Sequence, residues 1–530
     1  MNKYIKYAFA LALPTVVLSS CDDYLDTMPD NRATIDNEDK IKSLLVSAYP
    51  TSEFSFVTET SSDNFDDVGS FNPYTDRFFD DMYAWKDETE NFNESLANYW
   101  ESSYLGISAA NQALDAIKDL GGPASTTLQE LYGEALISRA YNHFMLAQLF
   151  CKPWTQDAAE DLGLPYMEHP ETTLKPQYER GNLADFYEKI EADIVEGLKY
   201  IGDSHLEVPK YHFNTKAAYA FATKYYLAVE KWQDAADMAT KCLGTQPKAV
   251  LRDYDAQAQL PIQGSNGLLN EPQAMEYIKV TNSCNLLLTT AYSRLGVLCG
   301  RSPSYSRYTH HQHLSRNETI EAPHPFGSLK NIYASFPSTG FTYVLLRKVG
   351  CLFEYTDIVA GNGYYHTVIP VLTTDETLLN RAEAYIMLKQ YDKAASDLTI
   401  WSQNFTRNAP VLTPEYLTTF YNNATYCYDD ENGVSSGLKK HLNPAFAIDA
   451  EGSTQECMLQ CMLAFRRIET LHFGFRWFDI RRYGIEIPRR VLNASGVPVT
   501  RTDVLLKDDP RRTFQLPLQV RDAGLEANPR

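Results

Sequence analysis

Past its first twenty residues the chain contains no apolar run near the ~20 residues that a membrane-spanning helix requires, so no transmembrane segment is expected there. Positive charge is scarce too: 48 Lys plus Arg face 68 Asp plus Glu, a formal charge of −20. A surface of that sign repels phosphate backbones, which excludes nucleic acid as an expected partner. Catalytic signatures are missing: there is no HExxH zinc helix, no phosphate loop and no CxxCH, and no serine is expected in a nucleophile elbow. No motif nominates a catalytic carboxylate pair. The expectation is therefore a protein that is not an enzyme, with no catalytic residue, cofactor or metal. Cysteine offers no paired CxxC spacing for zinc. Cys151, Cys242, Cys284, Cys299, Cys351, Cys427, Cys457 and Cys461 read as scattered buried thiols, with room for one or two disulfides. Cys457 and Cys461, one helical turn apart, are expected to share a helix face rather than a bridge.

What is present begins with an address. Lys3 and Lys6 precede an apolar stretch from Ala8 to Leu18, broken by Pro14 and too short to span a bilayer, and residues 1–20 read as a signal peptide. The stretch ends in Leu18-Ser19-Ser20-Cys21, which resembles a bacterial lipobox: small residues admit the cleaving peptidase and the thiol takes the diacylglycerol. Cys21 is the expected lipidation site, residues 21–40 the lipidated N-terminus and linker, and the lipid the only membrane attachment.

Residues 41–49, 92–120, 127–150, 183–201, 215–243 and 375–403 read as helices. Over 183–201, Leu183, Phe186, Tyr187, Ile190, Ile194, Leu198 and Ile201 recur at spacings of three and four, which buries one face. Thr127 with Glu130 fits a capping box after the break Gly121-Gly122-Pro123. Thr223, Tyr226, Trp232 and Ala235 share a spacing with Ala382, Tyr385, Tyr391 and Ala394. That spacing is the tetratricopeptide pattern, in which a small residue lets paired helices approach and an aromatic fills the gap. The expected fold is mainly α: a tetratricopeptide-like helical-pair scaffold, an α-α superhelix, with long irregular loop insertions. The segment 245–370 lacks helical periodicity and is rich in Gly, Pro, Ser, Asn and Tyr, so it is expected to be a loop-rich insertion with short strands that cannot be placed.

Cys21-Asp22-Asp23-Tyr24-Leu25-Asp26, Arg139-Ala140-Tyr141 with Phe144 and Leu146, Leu378 to Tyr385, Arg466-Arg467 with Glu469, Phe473 to Gly484, and Pro517 with Asn528-Pro529 follow one another as in the SusD/RagB family. The likeness covers essentially the whole mature chain. Thr373, Thr374 and Val520 depart from the family pattern, all in scaffold. The resemblance implies a single SusD-like domain over 41–530, with helical pairs at 92–243 and 375–403, the insertion at 245–370 and a C-terminal segment at 371–530. It implies an outer-membrane lipoprotein of Bacteroidetes that packs on a SusC-like TonB-dependent transporter and captures an oligosaccharide or, in the RagB branch, a peptide. A lid without ligand affinity of its own is the third reading. Asp22 and Asp23 resemble the signal that sends such lipoproteins to the cell exterior.

Sugars present apolar C–H faces and a rim of hydroxyls, so a site needs flat aromatics and hydrogen-bonding neighbours. Two regions supply them. One holds Phe71-Asn72-Pro73-Tyr74 and Tyr83-Ala84-Trp85-Lys86-Asp87, ahead of a helix with Tyr99, Trp100 and Tyr104; the other holds Arg301 to Tyr308 and Gly361 to His366. The expected ligand contacts are Tyr74, Tyr83, Trp85, Tyr305, Arg307, Tyr308, Asn362 and Tyr364. Trp100 and Tyr104, four apart, are expected to bury a helix face. His310-His311-Gln312-His313 lacks the partners of a metal site, and the run Arg466 to Arg482 reads as an internal ion-pair and packing element, with Arg481 and Arg482 not ligand contacts.

Overall fold

A computed structural model describes residues 35–171, 177–262, 271–301, 306–338 and 341–530. The signal peptide, Cys21 and Tyr305 lie outside the described residues. In chain order the helices are α1 (Glu38–Leu45), α2 (Ser55–Ser61), α3 (Arg77–Tyr83), α4 (Leu96–Asp119), α5 (Thr126–Phe150), α6 (Leu183–Tyr200), α7 (Thr215–Ala228) and α8 (Trp232–Leu243). They continue with α9 (Tyr254–Gln259), α10 (Pro272–Tyr277), α11 (Gln312–Glu318), α12 (Thr374–Met387), α13 (Tyr391–Phe405), α14 (Pro414–Asn422), α15 (Thr454–Glu469), α16 (Arg476–Arg482) and α17 (Leu518–Asp522).

Short polar side chains set where the long helices start. Ser95, Ser125, Asn182, Asn214, Thr373 and Ser453 each accept a backbone N–H from the first turn of α4, α5, α6, α7, α12 and α15. The capping box expected at Thr127 and Glu130 is therefore corrected: Ser125 is the cap, and Glu130 reaches instead to Ser204 and His205. The stretches 215–243 and 375–403 each break into two helices, at Glu230 and Lys389, whose φ angles of 61° and 57° place them in the left-handed region. The tetratricopeptide spacing thus marks two helix pairs, α7/α8 and α12/α13. Ala235, Ala382 and Ala394 are fully buried where the helices meet. α4 packs on α5, α5 on α6, α8 on α12, and α12 on α15, so the pairs stack into the helical scaffold.

The insertion at 245–370 is more regular than expected. It holds β2 (Asn285–Tyr292), β3 (Tyr308–Thr309), β4 (Ser328–Leu329), β5 (Tyr333–Ser338), β6 (Phe341–Leu346), β7 (Leu352–Asp357) and β8 (Asn362–Thr373). β1 (Asp66–Asp67) precedes it, and β9 (Thr406–Arg407), β10 (Ile487–Leu492) and β11 (Pro498–Leu505) follow. One sheet runs β11-β10-β1-β3, another β2-β8-β7, and β4/β9 and β5/β6 form two-stranded ribbons. β8 is buried along its second half and runs directly into α12, which roots the β2-β8-β7 sheet in the helical scaffold.

The run Arg466 to Arg482 is internal. Arg466 pairs with Glu383 and Asp479, Arg467 with Asp63 and Glu318, and Arg476 with Asp63, all buried. Burial alone would raise Asp66, yet Arg490 and His311 outweigh it and hold the carboxyl at about 2. Arg481 donates to the carbonyls of Gln148 and Cys151 at the C-terminus of α5, where it offsets the negative end of a 25-residue helix. Cys457 and Cys461 are buried free thiols on one face of α15.

Candidate ligand-binding surface

The most exposed aromatic cluster sits on the β7–β8 hairpin. Register pairs Leu352 with His366, Phe353 with Tyr365, Glu354 with Tyr364, and Tyr355 with Gly363, while β2 places Tyr292 opposite His366. Because side chains alternate along a strand, Tyr292, Glu354, Tyr364 and His366 share one face, and Phe353, Tyr355 and Tyr365 the other. Ring geometry agrees: Tyr292 and Tyr364 lie 5.4 Å apart at 53°, and Phe353 lies 4.9 Å from Tyr355 and 5.2 Å from Tyr365. Tyr292 is 40% and Tyr364 53% exposed. A hydrogen bond with Glu354 raises the pKa of the Tyr292 phenol above its ordinary value, keeping it neutral. Two local devices hold the arm together. The Asp357 carboxylate accepts the N–H groups of Val359 and Ala360 at the tip, and a Cβ at Gly363 would meet the Glu354 carbonyl at 2.1 Å, so the strands close only around glycine.

The base of this arm continues into a second zone. After Tyr292, the Ser293 hydroxyl donates to the buried Glu53, and Arg294 donates its backbone N–H and Nε to Glu94 and its Nη1 to Asp76. The Arg294 guanidinium lies 5.4 Å over Phe56 and 5.7 Å over the exposed ring of Phe92. Asp76 caps α3, so the arginine ties the end of β2 to the loop of Tyr74. The same loop is fastened to β3, because the backbone N–H of Arg307 donates to the Tyr74 carbonyl at 2.9 Å. Arg307 itself makes a two-pronged pair with Asp67, 2.8 Å on each prong. Arg294 and Arg307 are thus already matched by carboxylates, and the zone offers oriented N–H donors and flat rings rather than free positive charge.

The two aromatic regions of the sequence therefore meet, but only some of the expected contacts face solvent. Tyr74, Asn362 and Tyr364 are exposed, and Arg307 is partly so. Three expectations are corrected by burial. Tyr83 stacks on Tyr308 with ring centroids 3.9 Å apart, and the Tyr308 hydroxyl donates to Asp80. The Arg489 guanidinium lies 4.0 Å over Tyr83 and 3.9 Å over Trp85, whose indole N–H donates to the Ser61 carbonyl. Tyr83, Trp85 and Tyr308 are each about 95% buried, and these neighbours occupy faces a sugar would need. Tyr292, Arg294 and Phe92 were missed by sequence reasoning. Tyr292 ends an apolar strand and Phe92 precedes a helix, positions where burial is the ordinary outcome; Arg294 carried no motif.

Other motifs resolve as structure. Trp100 is 8% exposed and packs on Tyr104 and Phe150. His311 binds Asp66, while His310 is held between the Val344 carbonyl and Thr319. Among the described residues no group of three or more His, Cys, Asp or Glu is placed to hold a metal ion. The string Gly433-Val434-Ser435-Ser436-Gly437 has the letters of a nucleophile elbow, yet no strand leads into it and no helix leaves it. The Ser435 hydroxyl accepts the Asp429 N–H, and that of Ser436 donates to Glu318.

A stacked helical-pair scaffold thus presents exposed rings on a sheet rooted in its helices. Residues 23–227 match the SusD-like family described as starch-binding and associating with the outer membrane. The fold is similar to a proposed sugar-binding protein from Bacteroides vulgatus, at 17% identity and TM-score 0.65 over 94% of this chain and 99% of that one. It is also similar to a SusD superfamily protein from Bacteroides thetaiotaomicron, at 18% identity and TM-score 0.60 over 94% and 100%. A SusD-like carbohydrate-binding protein from Bacteroides vulgatus matches at 14% and 0.60 over 92% and 96%. No curated protein matches the chain. The chain has the SusD fold, and its N-terminal part carries the SusD-like sequence match. No helix among the described residues is long and apolar enough to cross a membrane.

Proposed function

We propose that this protein is a non-catalytic, glycan-binding lipoprotein of the outer membrane. It is held by lipid at Cys21 on the cell exterior, and delivers an oligosaccharide or polysaccharide to a SusC-like TonB-dependent transporter. The observation that carries the reading is the solvent-facing pair Tyr292 and Tyr364 on neighbouring strands of a sheet fixed to the scaffold, with Tyr74, Phe92 and the carboxylate-matched Arg294 at its base. Rings of this kind stack on sugar C–H faces, and the phenols and guanidinium N–H groups reach the hydroxyl rim. Matched charges favour a neutral glycan.

One observation favours a peptide as the second reading: β7 is the outer strand of its sheet and is exposed from Glu354 to Asp357, so its backbone could pair with an extended chain. The test is retardation of the mature chain lacking Cys21 in native gels cast with a panel of polysaccharides, with pooled oligopeptides titrated by calorimetry alongside. Retardation that is lost in Tyr292→Ala/Tyr364→Ala and insensitive to salt is the expected result. Heat from peptides alone would replace the glycan with a peptide, and binding of neither would leave a lid whose ligand contacts belong to the transporter.

A further inference from the structure

The connection between α6 and α7, residues 201–214, is tied to α5 by a compact charge cluster that has no part in the surface above. The His205 ring lies between two carboxylates, with Nδ1 3.1 Å from Glu130 and Nε2 2.7 Å from Glu134. A neutral imidazole carries one N–H and one bare lone pair, so only the protonated ring can donate at both ends. The rest of the cluster is built around the same two acids. Glu130 also accepts from the Ser204 hydroxyl and the His205 backbone N–H, and Glu134 from the Tyr49 hydroxyl and His212 Nδ1. Tyr49 in turn accepts the Phe213 backbone N–H at 2.6 Å. Glu134 and its side chain are buried, and His205 is 8% exposed.

The charged groups nearby do not compete with this arrangement. Asp203 turns to the N–H and hydroxyl of Thr215, Glu207 pairs with Lys42 from α1, and Lys199 at the end of α6 pairs with Glu196. Gly202 packs against the Glu130 side chain so closely that a Cβ there would meet it at 2.4 Å. Two acids from α5 therefore hold the His205 imidazolium, and Tyr49 and His212 fix Glu134, the more buried of the two, from its other side.

We propose that His205 is a charge latch: its protonated ring, clamped between Glu130 and Glu134, ties the 201–214 connection to α5, and the tie loosens when the ring loses its proton. Burial disfavours the charged ring, but Glu134 and Glu130 outweigh it and raise its proton affinity above the ordinary value of 6.5. A raised histidine stabilises the closed form fully below that ordinary value and loses the contribution as pH rises through the raised one. Opening thus increases on the alkaline side, by up to about tenfold for each pH unit between the two values.

Hydrogen exchange of the full mature chain, read on peptides covering 201–214 at about pH 6 and about pH 8.5 and corrected for the intrinsic rate, tests the latch. Protection of this segment should fall across that range while peptides from α12 and α15 hold theirs. In His205→Gln the segment should be weakly protected at both values, with the pH dependence gone. Glu130→Gln, at the solvent edge of the cluster, should move the loss of protection to lower pH. Equal corrected protection of the wild type at the two values overturns the latch, as does wild-type pH dependence in His205→Gln. Should His205→Gln fail to fold, protection in Glu130→Gln equal to that of the wild type at both values overturns it alone.

Discussion

Tyr83 and Tyr364 are the same residue type in opposite circumstances, and their substitution should separate folding from binding. Tyr83 has one neighbour stacked at 3.9 Å and a guanidinium at 4.0 Å, so Tyr83→Ala removes a filled core position. The expected loss is about 3–5 kcal/mol, the range for deleting a large buried ring, read as a drop in urea midpoint. Tyr364 is half exposed, and Tyr364→Ala should change stability by less than about 0.5 kcal/mol. Its glycan affinity should fall about two- to tenfold, the worth of one aromatic contact, as read by gel retardation. Equal stability losses in the two variants would mean that the hairpin face is core and that the glycan surface lies elsewhere. Composition could not separate these two tyrosines, because exposure is decided by segments distant in sequence: Tyr308 and Arg489 cover Tyr83, whereas Tyr364 meets only the tilted ring of Tyr292.

At the scale of elements, the helices were legible and the strands were not. Caps, Gly-Pro breaks and three-to-four spacing are local signals, and the alanine positions of the helix pairs have a packing reason that survives in the sequence. β8 carried no such signal: its exposed half, Asn362 to His366, reads as loop, and its buried half, Thr367 to Thr373, is an apolar run of no definite period. The partner strands β2 and β7 lie on either side of it in space, and β2 is some seventy residues upstream. The hairpin yields its own prediction. Gly363→Ala places a methyl group 2.1 Å from the Glu354 carbonyl, which must splay β7 from β8 and pull Glu354 away from Tyr364 and Tyr292, releasing the rings it holds. The midpoint of thermal unfolding should move little, because the arm stands clear of the helical core, while glycan retention should be lost. Overpacking the scaffold does the reverse. Ala382→Leu, at a fully buried helix contact, should cost about 1–3 kcal/mol and leave retention by the surviving folded protein intact.

Across the whole molecule, buried carboxylates divide into two classes that pull stability in opposite directions with pH. Glu383 is held at about 2 and Asp63 well below its usual range, because Arg482 and Arg466 in one case and Arg467 and Arg476 in the other outweigh the cost of burial. Their contribution is present above the unfolded carboxyl values and is lost in acid. Glu53 and Glu88 belong to the second class: burial without a cationic partner pushes each up to about 7. Between the ordinary value of 4.5 and about 7 the folded protein holds protons that the unfolded chain has released, so these two groups subtract stability as pH rises. Glu53 is the cleaner test, since it accepts the Phe56 N–H and the Ser293 hydroxyl and a glutamine can meet both, its oxygen taking the N–H and its amide donating to the hydroxyl. Glu53→Gln should therefore match the wild type near pH 4.5 and gain on it by about 1.4 kcal/mol per pH unit up to neutrality. Urea denaturation at about pH 5 and about pH 8 checks it. A gain that is the same at both values would show that Glu53 is already ionised in the folded protein, with the Ser293 and Phe56 donors overcoming burial at the root of the ligand-binding arm.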